Sequence, residues 1–394
     1  MPGAEDRAGP LSHARRWQAG VVQAVSPPGV VDLATGYLDP GLFPVGLVRD
    51  AYAAALAEFG SAALSYGDDR GLLGLRTALA TRAGPPCGPE HVLLTAGTSA
   101  ALYLLATRLA QPGAVVFAEQ RSYDLGCRLL TDCGLRVWPV PMDAAGMDPQ
   151  ALQEAVGEVR ALGLAPAFAY LIPAFHNPTG LLVPARRRRE LLAVAARNGL
   201  TVVEDDAYAE LSFTGTPEPS LGELAGYRGV IRLGTFSKTL GPGLRLGWLL
   251  ADPPLVARLA GHGLFRSGGS PNHLASAAVT TLVESGGYDR HVGWLRDRLR
   301  TRRDALADAL ATHLAEVAAF TPPAGGYFLW LHARGELTEP GLEAAAARAG
   351  LVVAVGSRFG GGPPGLRLSF SFNTPDRLAE AVGRLADALT MERT

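Results

Sequence analysis

Seven apolar runs, at 91–94, 114–117, 136–140, 167–172, 201–204, 230–233 and 246–250, punctuate the first two thirds of the chain. Most are separated by polar-apolar stretches with helical spacing. Short continuous apolar runs of this kind suit strands buried on both faces, as in a parallel sheet covered by helices. They predict an α/β fold, a seven-stranded and mostly parallel sheet flanked by helices. From about residue 285 the pattern changes to a long arginine-rich helix over 288–314, then short strands and two further helices. This reads as a smaller α+β domain. The expected division places a large domain at 40–284 and a small domain at 1–39 and 285–394, with residues before Gln23 as an arm. No internal repeat or low-complexity linker interrupts the pattern.

Bulk properties narrow the class. A chain of 394 residues can bury large cores, and its formal net charge of -1 makes no electrostatic case for nucleic acid or acidic membranes. No apolar run approaches the roughly twenty uncharged residues of a membrane helix. The charged amino terminus lacks the apolar stretch of a secretion signal. Cys87, Cys127 and Cys133 form no CxxC pair, so neither a disulfide framework nor a metal site is expected, and a reducing cytoplasm fits. Cys127 and Cys133 are expected on one helix. The run Arg186-Arg187-Arg188-Arg189 after Pro184 reads as a solvated or salt-bridged helix face.

The chemistry concentrates around Lys238, in Thr235-Phe236-Ser237-Lys238-Thr239-Leu240-Gly241-Pro242-Gly243-Leu244-Arg245. Hydroxyls at Thr235 and Ser237 and the guanidinium of Arg245 suit a phosphate, and the lysine amine stands beside them. Pyridoxal phosphate carries both a phosphate and an aldehyde that forms a Schiff base with lysine. A second segment ends the 201–204 run in Asp205-Asp206-Ala207-Tyr208. Asp205 at a strand's carboxyl end can keep a pyridine nitrogen protonated, and Tyr208 can reach the ring's phenolic oxygen. A third, Phe175-His176-Asn177-Pro178-Thr179-Gly180, holds Asn177 in a turn just past a strand, where it can meet the ring oxygen and a substrate carboxylate. His176 reads as a wall residue or a partner for a neighbouring polar group.

These three segments, in this order, resemble the fold-type I pyridoxal-phosphate enzymes of the aspartate aminotransferase family. The nearest look is to the branch with kynurenine and α-aminoadipate aminotransferases and the aminotransferase-like domains of some bacterial regulators. The resemblance runs from Asp32 to about Leu389. It implies further site residues, each at a matching position. Gly97 and Thr98 open a helix suited to phosphate, with Ser99 in place of the family's Gln. Tyr123 matches the aromatic that stacks on the cofactor ring. Tyr66 matches the tyrosine that reaches the phosphate in the neighbouring subunit, which implies a homodimer with shared sites. Arg367 matches the clamp for the substrate α-carboxylate, and Gly36 and Tyr37 the entry segment over the site. Leu38 stands where a proline is usual, and Tyr37 is bulky, so both are expected to reshape the substrate mouth.

The implied activity is aminotransfer between an amino acid or related amine and a keto acid, with Lys238, Asp205 and Tyr208 as catalytic residues. The alternatives are a non-transaminating reaction of the same cofactor, such as elimination, decarboxylation-coupled deamination or cyclisation, and a ligand-sensing regulator without turnover. About thirty residues precede Asp32, too few for the DNA-binding module such regulators carry. No second arginine is assigned to a substrate side chain; Arg70, Arg121 and Arg266 are candidates if folding brings them near.

Overall fold

The computed structural model describes residues 29–214 and 218–390. The expected arm before Gln23 lies outside the described residues. A short strand β1 (Val31–Asp32) opens the described chain. The central sheet is built from β2 (Val92–Thr95), β3 (Val115–Glu119), β4 (Arg136–Val140), β7 (Pro166–Leu171), β8 (Thr201–Asp205), β9 (Val230–Thr235) and β10 (Gly247–Leu250), with β5 (Met142–Asp143) and β6 (Gly146–Met147) as a small hairpin beside it. Its order is β2-β10-β9-β8-β7-β3-β4. All seven follow the apolar runs of the sequence. Val115, Val116, Phe117, Phe168, Ala169, Tyr170 and Val203 are wholly buried, as a sheet covered on both faces requires.

Only β10 runs antiparallel, paired to β2 on one side and β9 on the other. Its apolar run carries no mark of direction. The reversal has a consequence for the site: β10 starts at the edge where β2 and β9 end, and Gly247 lies beside both Thr95 and Thr235. The strand order reverses between β3 and β7, and the crevice beyond the carboxyl ends at such a switch point is where open α/β sheets hold ligands.

The second sheet is β11 (Ala318–Phe320), β12 (Phe328–Ala333), β15 (Gly365–Ser369) and β14 (Ala354–Val355), all antiparallel. β1 pairs with β13 (Leu351–Val352) in a separate two-stranded sheet, and the Ser369 amide donates to the Leu33 carbonyl at 2.8 Å, tying the entry segment to β15. Every residue of β15 is buried, Arg367 included. The long helix Gly287–His313 lays Leu295, Leu299, Leu306 and Leu310 against this sheet's core, at the four- and seven-residue spacing of one helix face.

Two surface expectations change. In the helix Ala185–Arg197, Arg186 pairs with Glu190 and Arg187 with Asp143, as a salt-bridged face would. Arg188 instead faces the sheet, fully buried, and donates to the carbonyls of Val183 and Pro173 at 2.9 and 3.0 Å, near the equally buried Glu204 at 3.5 Å. Cys133 stands just past the end of the helix Asp124–Asp132 instead of within it.

Candidate active site

A cavity of about 550 Å³ opens at the carboxyl ends of the central strands, walled on its far side by β12, β15 and the entry segment. Of the residues singled out in the sequence, Gly36, Tyr37, Thr98, Ser99, Tyr123, Asn177, Asp205, Tyr208, Thr235, Ser237, Lys238, Arg245 and Arg367 all line it. Gly97 lies just behind: a Cβ there would stand 3.0 Å from Nη2 of Arg245. Tyr66 does not line the cavity of its own chain and is 86 % exposed. Leu38 turns away into the core at 2 % exposure, so the mouth is shaped by Tyr37 and not by Leu38.

One end of the cavity is rich in donors. Gly97, with φ +93, ends the turn after β2 and starts the helix Thr98–Leu109, whose first amide groups have no partner within the helix. Thr235 Oγ1 accepts from the Ser237 amide at 3.0 Å and donates to Ser237 Oγ at 2.9 Å. Arg245 adopts a left-handed backbone conformation, φ +46, unusual for a residue with a Cβ. Its Nη2 donates to the Ala96 carbonyl at 2.7 Å, and Asn272 holds its carbonyl. Two hydroxyls, a helix start and a guanidinium meet because Gly247, at the start of β10, lies between the ends of β2 and β9 and pairs with Thr95 on one side and Thr235 on the other. That set suits a phosphate.

Lys238 occupies the middle, partly reachable through the cavity. Its Nζ donates to the Gly36 carbonyl at 3.2 Å and lies 5.5 Å from the centre of the Tyr208 ring. Tyr327 Oη donates to the Lys238 carbonyl at 2.6 Å, fixing the backbone under the amine. Crowding by protein pushes the ammonium down to about 8, with Asp205 partly opposing and Arg367 adding to the shift.

Asp205 faces the same space from the end of β8. Burial pushes its carboxyl up to about 6, and the hydroxyl of Tyr170 lowers it again by donating to Oδ2 at 2.7 Å. Oδ1 is buried with no hydrogen-bond partner. A buried carboxylate oxygen left free is costly unless a ligand completes it. Its free oxygen, the lysine and the phosphate-suited end together fit pyridoxal phosphate. Tyr170 is a site residue that sequence reasoning passed over. Its signal was a phenol near the end of an otherwise apolar run.

Arg367, on β15, is buried and its burial lowers the guanidinium to about 10, still charged at neutral pH. It donates to Asn177 Oδ1 at 2.8 Å and the Ala34 carbonyl at 2.6 Å, while Nε has no partner. Phe328 and Phe359 hold it at 4.2 and 4.6 Å from their ring centres. A guanidinium held close to two aromatic rings and by two hydrogen bonds is pre-set for a planar carboxylate. His176 sits behind Asn177, buried, with Nδ1 2.8 Å from Thr179 Oγ1 and Nε2 3.5 Å from the buried Glu119. It is a neighbour's partner and not a cavity residue. Arg70, Arg121 and Arg266 do not line the cavity, whereas Arg358 does. Among the described residues no cluster of His, Cys, Asp and Glu could hold a metal ion, and no helix is long and apolar enough to cross a membrane.

Residues 28–385 match the family model for aminotransferases of class I and II. A 2-aminoadipate transaminase from Thermus thermophilus is 36 % identical over 371 residues, 92 % of this chain and 90 % of the relative. Among solved structures, an α-aminoadipate aminotransferase of Thermus thermophilus, complexed with N-(5'-phosphopyridoxyl)-L-leucine, is 35 % identical. It superposes with a TM-score of 0.82, covering 97 % of this chain and 98 % of the other. A kynurenine aminotransferase from Pyrococcus horikoshii gives a TM-score of 0.86 at 27 % identity, over 99 % and 96 % of the two chains.

Proposed function

The chain belongs to the class I and II aminotransferases and is a pyridoxal-phosphate-dependent aminotransferase; from that premise we propose how its own residues divide the work. The single observation that carries the assignment is the meeting of Lys238 Nζ, the free Oδ1 of Asp205 and the clamped guanidinium of Arg367 around one cavity. Pyridoxal phosphate, when bound, supplies an aldehyde for an amine and a ring that takes up electrons from the substrate α-carbon.

Thr98, Ser99, Thr235, Ser237 and Arg245 would hold the phosphate, with Gly97 giving the backbone room. Asp205, oriented by Tyr170, would hold the proton on the pyridine nitrogen. Tyr123 would stack on the ring, while Asn177 and Tyr208 reach its phenolic oxygen. Lys238 would tether the cofactor and, once an amino substrate has replaced it, move a proton at the α-carbon through Nζ. A pKa near 8 leaves part of the amine neutral at physiological pH, as both tasks require. Arg367 and Asn177 would orient the substrate α-carboxylate, and Gly36 and Tyr37 would cover it. Fixed orientation is what selects the bond that breaks.

We also propose that the active unit is a cytoplasmic homodimer, in which Tyr66 of each copy completes the other's phosphate site. The exposure of Tyr66 and the donor-rich cavity end support this reading. The proposed domain division at 40–284 and at 1–39 with 285–394 is supported by the two sheets, whose strands fall within 92–250 and 318–369 respectively.

The test is to mix cofactor-loaded protein with a panel of amino acids and amines and follow the visible band. Loss of the band on adding a donor, with recovery on adding a keto acid, is the expected result. Release of ammonia, carbon dioxide or a thiol without recovery by a keto acid would instead assign a non-transaminating reaction. Lys238→Ala should lack the band altogether.

A further inference from the structure

Three arginines line the cavity, and two of them are committed. Arg245 is tied to the donor-rich end through the Ala96 carbonyl, and Arg367 to Asn177 and Ala34. Arg358, in the turn Gly356–Phe359, is different. Its side chain is 49 % exposed, and Nε donates to Asp124 Oδ2 at 2.6 Å. Among the described residues its two terminal nitrogens have no hydrogen-bond partner. A guanidinium is a planar fork with five donors, so Asp124 occupies one side and leaves the outer edge free.

Asp124 is the anchored partner. It is the first residue of the helix Asp124–Asp132, where the helix dipole favours an anion, and its side chain is only 16 % exposed. The pair is not needed to hold the two segments together. The Ser122 amide donates to the Phe359 carbonyl at 3.0 Å, Arg121 bridges to Gly360 in strand fashion, and the Arg121 guanidinium bonds the Pro363 carbonyl.

Distance points the same way. The guanidinium carbons of Arg367 and Arg358 lie 4.6 and 5.8 Å from the centre of one ring, that of Phe359. Adding the two puts them at most about 10 Å apart, close enough for one short amino diacid to engage both forks.

We propose that Arg358 is the specificity-determining residue for a second acidic group at the far end of the substrate side chain, with Asp124 as the fixed anion that turns its fork toward the cavity. The proposal rests on the aminotransferase reading of the site, with Arg367 taking the α-carboxylate. Substrates of this class are α-amino diacids with about two or three methylenes between the two ends.

The experiment compares L-glutamate with L-norvaline, which differ only in the distal carboxylate, in wild type, Arg358→Gln and Arg358→Lys. The ratio of kcat/KM for glutamate over norvaline should fall about 30-fold in Arg358→Gln, as loss of a charged, forked pair requires. Arg358→Lys should restore only part of it, because an ammonium is a point charge without a fork. Calorimetric titration of the cofactor-loaded proteins with glutarate and pentanoate reads the same preference without turnover. A ratio that stays constant in Arg358→Gln, or a wild type that binds glutarate no better than pentanoate, overturns the proposal. If that happens while norvaline is still transaminated, the reading of the site stands. If no donor is transaminated, that reading falls, and the glutarate titration still decides the role of Arg358.

Discussion

Lys238 carries its reactivity at a cost in stability. Its ammonium has a folded pKa of about 8 against 10.5 for the free side chain. Below pH 8 both folded and unfolded chains hold the proton, so the folded protein bears the whole penalty of a buried charge. Between pH 8 and 10.5 the folded amine sheds its proton first, and the penalty is relieved. Cofactor-free Lys238→Met should therefore be more stable than cofactor-free wild type at pH 7, by about 1–3 kcal/mol after allowance for water reaching Nζ, and the gap should close toward pH 10. Equilibrium denaturation at the two pH values checks this; equal stabilities at pH 7 would mean that cavity water solvates the ammonium fully. Asp205 gives the opposite sign. Its folded pKa of about 6 lies above the free value, so the carboxylate is fully charged only above pH 6, and cofactor affinity should fall as pH drops through that range. Tyr170→Phe removes the hydroxyl that favours the charged form. The midpoint of that fall should move to higher pH and the affinity at pH 7 weaken about tenfold, as loss of a hydrogen bond to a charged group predicts. Fluorescence titration with pyridoxal phosphate reads both, and an unshifted midpoint would show that Tyr170 only packs.

Among the elements, the turn from β2 into the helix Thr98–Leu109 is the most tightly specified. Gly97 has φ +93, and a Cβ added there would meet Arg245 Nη2 at 3.0 Å. Gly97→Ala should cost about 1–3 kcal/mol through the disfavoured backbone, and it should push Arg245 off the phosphate position as well. Thermal melts and cofactor titrations separate the two effects; lost stability with full cofactor affinity would clear Arg245 of that role. All seven strands of the central sheet were legible because strands buried on both faces leave short continuous apolar runs. The direction of β10 was not, since an apolar run reads alike both ways and only its partners decide. Arg188 was illegible for a related reason. Its three arginine neighbours are matched to solvent or surface acids, and the sequence holds no sign that Glu204, buried on the next strand, is its counterpart.

Across the whole molecule, the legible part of the site was the part that local motifs carry, namely Lys238 with Arg245, Asp205 with Tyr208, and Asn177. What stayed hidden depends on segments brought together from far apart, such as Arg358 and Asp124, separated by 234 positions. The entry segment shows the same long-range dependence. Gly36 accepts from Lys238, yet its neighbours are fastened elsewhere: Ser371 Oγ donates to the Tyr37 carbonyl at 2.6 Å, and the Asp39 amide to the Ser371 carbonyl at 3.0 Å. Arg302, buried on the long helix, grips both sides, with Nη2 on Asp39 Oδ2 at 2.6 Å and Nη1 on the Ser371 carbonyl at 2.9 Å. Arg302→Ala would strand a mostly buried carboxylate and should cost about 2–4 kcal/mol, somewhat less than for a fully buried pair because Asp39 keeps some exposure to water. It should also loosen the strip bearing Gly36 and Tyr37 over the cavity. KM should then rise severalfold for norvaline and glutamate alike, with kcat changing less, because the cover serves every donor at the α-carboxylate end. That uniform rise is the opposite of the selective loss expected at Arg358. A destabilised variant with unchanged KM for both donors would show that β1 and its pairing with β13 hold the cover in place unaided.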